Sequence, residues 1–421
     1  MAETSIEKGR YSKASLAILI GLGGFGYSAI MALGYFNQTY YSLFQEGTGF
    51  SDIQIGTLVS IIGIIALFGY FFGGILSDFF KVKFLMVLSH VGATAIGIGM
   101  AMLPSYSVML VLQVLIAIFS IFTYWSPMAK FVRSLGPRSQ EGRLYGFFYM
   151  CVGIGGTLVG FIASAIIAAT NSVVGLRALL FMYAGVNLLA ALAILILYKN
   201  PEPTEAAESD KFRLKYVWAI LKMPEIWLLG IAGFVGYLIN VATSYFNPLL
   251  TSSFAVSVGV MTVIATVRSY VIRLLINPIS GTVIDKAKGS TKLMLYLLVA
   301  MFVVMAVILL MPWNPSWAIL AIVLMLALAI IYNFLTPTWF TPLSDIGIPD
   351  NMRGTAVGIT NAIIFSSDAF MYTVAGNLID KQGEGGYRTL FAILMASAIV
   401  GFLCVVAIRR RLKAQKTGIK Y

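Results

Sequence analysis

Apolar blocks of 20 to 28 residues alternate with short polar stretches along almost the whole chain. About 20 apolar residues in a helix cover the hydrocarbon core of a bilayer. The blocks therefore predict spanning helices over residues 15–37, 52–76, 84–104, 107–130, 143–169, 176–198, 225–251, 257–284, 292–311, 316–343, 354–379 and 387–408. The short segments of period-two alternation that would mark a transmembrane barrel are absent. The fold class is thus an all-α polytopic membrane protein with twelve transmembrane helices. The loops are short except for KNPEPTEAAESDKFRLKYVWAILKMP, residues 199–224, which is rich in Pro, Glu and Lys. It divides the chain into an N-terminal six-helix half, 1–198, a linker, 199–224, and a C-terminal six-helix half, 225–421, with a basic tail.

Charge gives this pattern a direction. Of the 29 Lys and Arg, 24 fall in the two tails, the linker and the loops on their side, and only Arg177, Lys381 and Arg388 fall on the other. The positive-inside rule then places both termini and the linker in the cytoplasm, and the protein as a multi-pass component of the cytoplasmic (inner) membrane. The net charge of +12 needs no nucleic-acid partner, because a basic cytoplasmic face against anionic lipid accounts for it. With 59% hydrophobic and 11% charged residues, the partners expected are the lipid bilayer and a small molecule. Cys151 and Cys404 sit inside apolar segments as small hydrophobes. The first block is too long, and lacks an obvious cleavage site, for a removable signal peptide.

The two halves echo each other. After the second block the chain reads GGILSDFFKVK, with Gly74 and Asp78 four apart, followed by Lys81 and Lys83. After the eighth it reads ISGTVIDKAKG, with Gly281 and Asp285 at the same spacing, followed by Lys286 and Lys288, and the two pairs are 207 residues apart. Pro137 precedes Gly146 by nine residues, as Pro349 precedes Gly358. Repeated spacings of this kind indicate duplication, a common build for transporters.

On these residues the chain resembles the major facilitator superfamily over nearly its whole length, although Phe79, Lys81 and Val82 depart from the basic run of that family's signature. The resemblance implies two pseudo-symmetric six-helix halves rocking about a site near the bilayer midplane. It implies a conformational lock at Gly74, Asp78, Gly281, Asp285 and Lys286, through the positive end of a helix in the opposite half. It also implies a central cavity lined by spans 1, 4, 7 and 10. The basic second half resembles the organic-anion and sugar-phosphate branches of the family.

Polar residues support that cavity independently. Span 7 carries Tyr237, Asn240, Ser244 and Asn247 at intervals of three and four, which puts them on one helix face. Such a stripe belongs against protein or water, not lipid. Span 1 carries Tyr27, Tyr35, Asn37 and Gln38; span 4 carries Gln113, Tyr124 and Trp125; span 10 carries Tyr332, Asn333, Thr336 and Trp339. Tyr35, Tyr40 and Tyr41, near the outer end of span 1, read as an interfacial belt.

Three charges lie at hydrocarbon depth: Arg268 and Arg273 in span 8, and Asp368 in span 11 with Asn361 and Tyr372 on its helix face. An arginine keeps its proton, so at depth it must pair or face water. Arg268 either pairs with Asp368 or binds an anionic group of the substrate. Arg273 contacts substrate or serves a cytoplasmic gate, and Asp368 is an arginine partner or a proton carrier. Two positive charges against one negative favour an organic anion.

Other patterns carry less. Gly21, Gly23 and Gly26 form a G-x-G-x-x-G, but inside span 1, where close helix packing is the better reading; the same holds for Gly156 and Gly160. His90, the sole histidine, is read as structural or lipid-adjacent. No cluster suggests a metal, no constellation suggests catalysis and no cofactor is expected. The expected function is secondary active transport of a small organic anion (carboxylate, sugar acid, sugar phosphate or sulfonate), by symport or antiport, in a functional monomer. The alternative is a proton-coupled carrier of a neutral or cationic solute, including drug efflux.

Overall fold

A computed structural model describes residues 11–136, 141–200, 214–286, 290–339, 342–346, 348 and 350–416. Among them there is no strand. In the same residues twelve helices are long and apolar enough to cross a membrane: spans 1 to 12 are Lys13–Thr39, Asp52–Gly69, Val82–Ala101, Tyr106–Arg133, Leu144–Ala169, Ser172–Leu197, Pro224–Ser252, Val258–Ile276, Ser290–Leu310, Pro315–Trp339, Thr355–Gln382 and Glu384–Ala414. The reason is elementary: hydrocarbon offers no partner to a backbone N–H or C=O, so each segment satisfies its own as a helix. The ends are closed by local chemistry. The Ser12 side chain accepts from Ser15 N–H, and the Asn171 side chain from Val174 N–H, each satisfying one of the free donors of a helix start.

The chain divides into two compact units, Met1–Phe50 with Ile65–Pro203, and Ser51–Ile64 with Thr204–Tyr421. In the first unit span 6 packs on spans 1 and 3, and span 1 on span 5. In the second, span 12 packs on spans 7 and 9, and span 7 on span 11. The same packing scheme thus occurs twice, six spans apart. The N-terminal part of span 2 belongs to the second unit, where glycines let backbones touch: Gly56 against Tyr372, Gly63 against Asp368 and Gly376 against Asp52. Ser60 accepts from the Thr373 N–H and hydroxyl at 3.2 and 2.9 Å, and the Asp380 carboxylate accepts the Asp52 and Ile53 N–H groups at 3.1 and 2.7 Å. A carboxylate there also faces the positive end of the helix dipole.

Among the described residues, four spans depart from a regular α-helix. Span 4 passes through a π-helical stretch at Ile118–Trp125, and span 8 through another at Val267–Val271. Span 10 ends in a 3₁₀ turn at Thr336–Trp339, where Pro337 lacks an N–H. Span 11 is broken by a 3₁₀ turn at Ser366–Ala369, after which Phe370 leaves helical geometry. In the run SSDA the short polar side chains compete for backbone, as when the Ser366 hydroxyl donates to Ile363 C=O at 2.7 Å.

Two sequence expectations need correction. Tyr40 and Tyr41 are 2% and 1% exposed, not an interfacial belt. Span 1 leads straight into a short helix, Tyr41–Thr48, and the pair is folded inward, with Phe36 packed edge-to-face on Phe44 at 4.9 Å. Of the two alternatives for His90, structural or lipid-adjacent, only the second is corrected: the ring is fully buried, with Nδ1 2.7 Å from Asn187 Oδ1. The backbone at Gly74, Asp78, Gly281, Asp285 and Lys286 is helical. The side chains of Asp78, Asp285 and Lys286, together with Pro137 and Pro349, lie outside the described residues.

The span 1 glycines do what packing requires, but not equally. A Cβ on Gly26 would come 2.5 Å from Ala190 Cβ and 2.7 Å from His90 Cε1, whereas one on Gly21 would meet nothing within 4 Å. Gly26→Ala is therefore expected to lower thermal stability in detergent by about 1–3 kcal/mol, while Gly21→Ala leaves it unchanged. Equal stability of the two variants would refute the packing role.

Candidate functional site

Polar side chains gather in each unit, and each gathering includes a π-helical stretch. A π segment adds a residue to the turn and re-aims the side chains around it, which is why such segments favour functional positions. In the second unit, Val267–Val271 carries Arg268, 6% exposed, whose Nη1 donates to Thr243 Oγ1 of span 7 at 2.9 Å. Thr243 escaped the sequence reading because it lies beside the Tyr237, Asn240, Ser244, Asn247 stripe. Its three-residue spacing from Asn240 was the available signal.

Asp368 is 2% exposed and sits in the broken turn of span 11, not on a continuous helix. The shared face with Asn361 and Tyr372 therefore does not exist as the periodicity suggested: Asn361 is half-buried, whereas Tyr372 is buried within electrostatic reach of both Asp368 and Arg268. The Tyr237 hydroxyl donates to Asp368 Oδ2 at 2.7 Å, and Asp368 Oδ1 has no hydrogen-bond partner. Among the described residues, Asp368 and Arg268 make no ion pair with each other. Of the two sequence readings of Arg268, pairing with Asp368 is not what the structure forms.

The remaining span 7 residues are placed as follows. Ser244 and Asn247 are buried, Asn240 is half-buried, and Ser244 also hydrogen-bonds Tyr372. The Tyr237 ring packs edge-to-face on Phe365 at 4.7 Å and lies 6.2 Å from Tyr332 and 6.3 Å from Trp339. Asn333 is turned into its own helix, Nδ2 donating to Ala329 C=O at 2.8 Å. Arg273 is exposed and within electrostatic reach of Tyr332. Five residues beyond Arg268, past the end of the π stretch, it presents its charge elsewhere.

In the first unit the corresponding group is aromatic and neutral. Tyr27 lies 6.0 Å from both Tyr124 and Trp125, which end the π stretch Ile118–Trp125, and 5.8 Å from Phe148 and Tyr149. The tilted Tyr27–Tyr124 pair, at 48°, matches the tilted Tyr237–Tyr332 pair at 57°. Each joins the first and fourth spans of its half, so the internal repeat extends to these side chains. His90 packs edge-to-face on Tyr124 at 4.9 Å. Asn187, which fixes His90, was missed; a lone Asn in the apolar run GVNLLAA was its signal.

The chemistry of these groups is that of binding. They comprise a permanent cation, a carboxylate with one oxygen open, and phenols, amides and indoles. Among the described residues no group of three or more His, Cys, Asp or Glu could hold a metal.

Comparison with known proteins agrees with this arrangement. The sequence model of the Major Facilitator Superfamily matches residues 14–372. The inner membrane protein YihN of Escherichia coli K12 is 23% identical over 418 residues, 98% of each chain, and the inner membrane protein YqcE of the same organism is 26% identical over 400 residues, 93% of this chain and 92% of that one. Among solved structures, a point mutant of the nucleoside transporter NupG aligns with a TM-score of 0.75 at 15% identity, covering 93% of this chain and 99% of that one. A D-xylose–proton symporter aligns at 0.70 with 18% identity, covering 94% and 97%. With twelve helices, internal repetition and a family match across most of its length, the chain belongs to the Major Facilitator Superfamily and is a transmembrane transporter, not an enzyme.

Proposed function

We propose that this transporter moves a small organic anion (a carboxylate, sugar acid, sugar phosphate or sulfonate) by secondary active transport, with Arg268 as the anion contact. The observation that carries the reading is the placement of Arg268: a permanent cation, 6% exposed, on the π-helical stretch of a membrane-spanning helix, with Nη1 donating to Thr243. A guanidinium is planar and always charged, which suits an oxyanion held by two parallel hydrogen bonds. Arg273 adds a second positive charge to the same span, so the field in this unit favours a negative ligand. Tyr237, Asn240, Asn247, Tyr332 and Asn333 are the further candidate contacts in the second unit; Tyr27 and Tyr124 are candidates in the first.

The working cycle in this reading is alternating access by a monomer in the cytoplasmic membrane, with 1–198 and 225–421 as the moving halves and 199–224 as the linker. Gly74, Asp78, Gly281, Asp285 and Lys286 would supply the cytoplasmic lock. Both termini lie in the cytoplasm, as the basic loops require. The names of the Escherichia coli relatives, both inner membrane proteins, support that membrane.

A second reading rests on Asp368. A buried carboxylate with one oxygen open and the other held by a phenol is equipped to take up and release a proton. The likeness to a D-xylose–proton symporter supports proton-coupled carriage of a neutral solute by the same framework.

In proteoliposomes given a panel of carboxylates, sugar phosphates and sulfonates, Arg268→Gln is expected to weaken the apparent affinity for the transported anion about 10- to 100-fold, the worth of a charge-assisted hydrogen bond. Arg268→Lys should recover part of it. Wild-type uptake and affinity in Arg268→Gln would remove the anion assignment. Asp368→Asn is expected to leave anion exchange intact; loss of proton-driven uptake of a neutral solute, with exchange spared, would decide for the second reading. A phosphatase reporter, active only outside the cytoplasm, is expected to be silent when fused after Tyr421. Activity there would reverse the orientation.

A further inference from the structure

The first unit contains a polar pair with no assigned role. His90 in span 3 and Tyr124 in span 4 are both fully buried, and their rings meet edge-to-face at 4.9 Å. The protonation of His90 follows from its neighbours. Asn187 Nδ2 donates to Tyr183 C=O at 2.9 Å, which leaves Asn187 Oδ1, an acceptor, facing His90 Nδ1 at 2.7 Å. A flipped amide would set oxygen against the Tyr183 carbonyl, so Nδ1 must carry the proton. In neutral imidazole the other nitrogen is then a bare acceptor.

That acceptor, His90 Nε2, has no hydrogen-bond partner, and neither does the Tyr124 hydroxyl. One group needs a donor, and the other has a proton to give. They do not satisfy each other, yet buried polar groups are almost always satisfied. A single hydroxyl answers both needs: its O–H donates to Nε2 while its oxygen accepts from Tyr124. A charged group would fit poorly, since a carboxylate has no proton for Nε2 and an ammonium nothing for the phenol to donate to.

The aromatic side chains around the pair lead outward. Tyr27, half-buried, lies against Tyr124, and Tyr149, 46% exposed, lies against Tyr27 at 5.8 Å. A face of this kind suits the C–H side of a hydroxylated carbon chain or ring. Gly26 of span 1 packs directly on this edge of the imidazole: a Cβ there would lie 2.7 Å from Cε1 and 3.1 Å from Nε2, so any side chain at 26 would press on the acceptor.

We infer that His90 Nε2 and the Tyr124 hydroxyl form a hydroxyl-binding site in the first unit, filled by an alcohol group of the substrate or by a water. This rests on the proposed transport of an organic anion only in naming the substrate class: with an alcohol as ligand, the anion is a hydroxylated one.

Because His90 is the sole histidine, ¹⁵N-histidine labelling of the full chain in lipid nanodiscs reports this ring alone. The expected spectrum shows a protonated Nδ1 and a proton-free Nε2. Glycerate and gluconate are expected to shift Nε2, whereas propionate and hexanoate, which bear the carboxylate without hydroxyls, leave it in place; that result assigns a substrate hydroxyl. An Nε2 already hydrogen-bonded without any anion, and released in Tyr124→Phe, assigns water. An Nε2 with the shift of a free nitrogen that neither the hydroxylated anions nor Tyr124→Phe moves would overturn the site. So would a proton on Nε2, or a hydrogen bond that Tyr124→Phe leaves intact. Calorimetry alongside separates the two readings. Arg268→Gln should weaken hydroxylated and plain carboxylates alike, while Tyr124→Phe should reduce only the preference for the hydroxylated ones, about tenfold.

Discussion

In hydrocarbon a polar group that finds no partner within the protein finds none at all, and this constraint shapes every level of the molecule. It makes the backbone helical in all twelve spans. It also means that a polar side chain at depth is either held by a neighbouring helix or waiting for something that arrives. Many here are held: Gln113 Nε2 donates to Gly34 C=O, Tyr245 to Tyr372 C=O and Asn333 to Ala329 C=O. Against that background Asp368 Oδ1, His90 Nε2 and the Tyr124 hydroxyl are buried without a hydrogen-bond partner, and the proposed readings rest on them.

The two units meet the constraint differently. The second brings charge to the middle of the membrane, on helices that depart from regularity where they do so. Arg268 lies in a π stretch and Asp368 in a 3₁₀ break. The gathering in the first unit brings only neutral donors, acceptors and aromatic faces. Yet the Tyr27–Tyr124 and Tyr237–Tyr332 pairs show that both descend from one plan, onto which the second half has placed ions and the first has placed His90 and Asn187.

Glycine and small residues set how closely the helices approach. Span 1 accommodates His90 because position 26 has no side chain, and span 2 meets span 11 through Gly56, Ser60 and Gly63. Close approach then does chemical work at the end of the seam, where Asp380 takes the first two N–H groups of span 2. The same contacts make single added methyl groups costly at these positions and harmless where, as at Gly21, nothing lies opposite.

Hydrophobic block length determined the twelve spans and the class of protein, because the bilayer imposes one length and one backbone solution on any spanning segment. Residue type also marked Arg268, Asp368 and the span 7 stripe, since polar groups are conspicuous in an apolar background. Only the tertiary structure decided who meets whom. It separated Arg268 from Asp368 and turned Tyr40 and Tyr41 inward. It also tied His90 to Asn187, 97 residues away. Periodicity could not foresee these outcomes because it assumes an unbroken 3.6-residue helix, and the π and 3₁₀ stretches rotate side chains away from that lattice just where the polar residues lie. Partners on different spans are brought together by helix packing, which leaves no trace in the spacing along one chain.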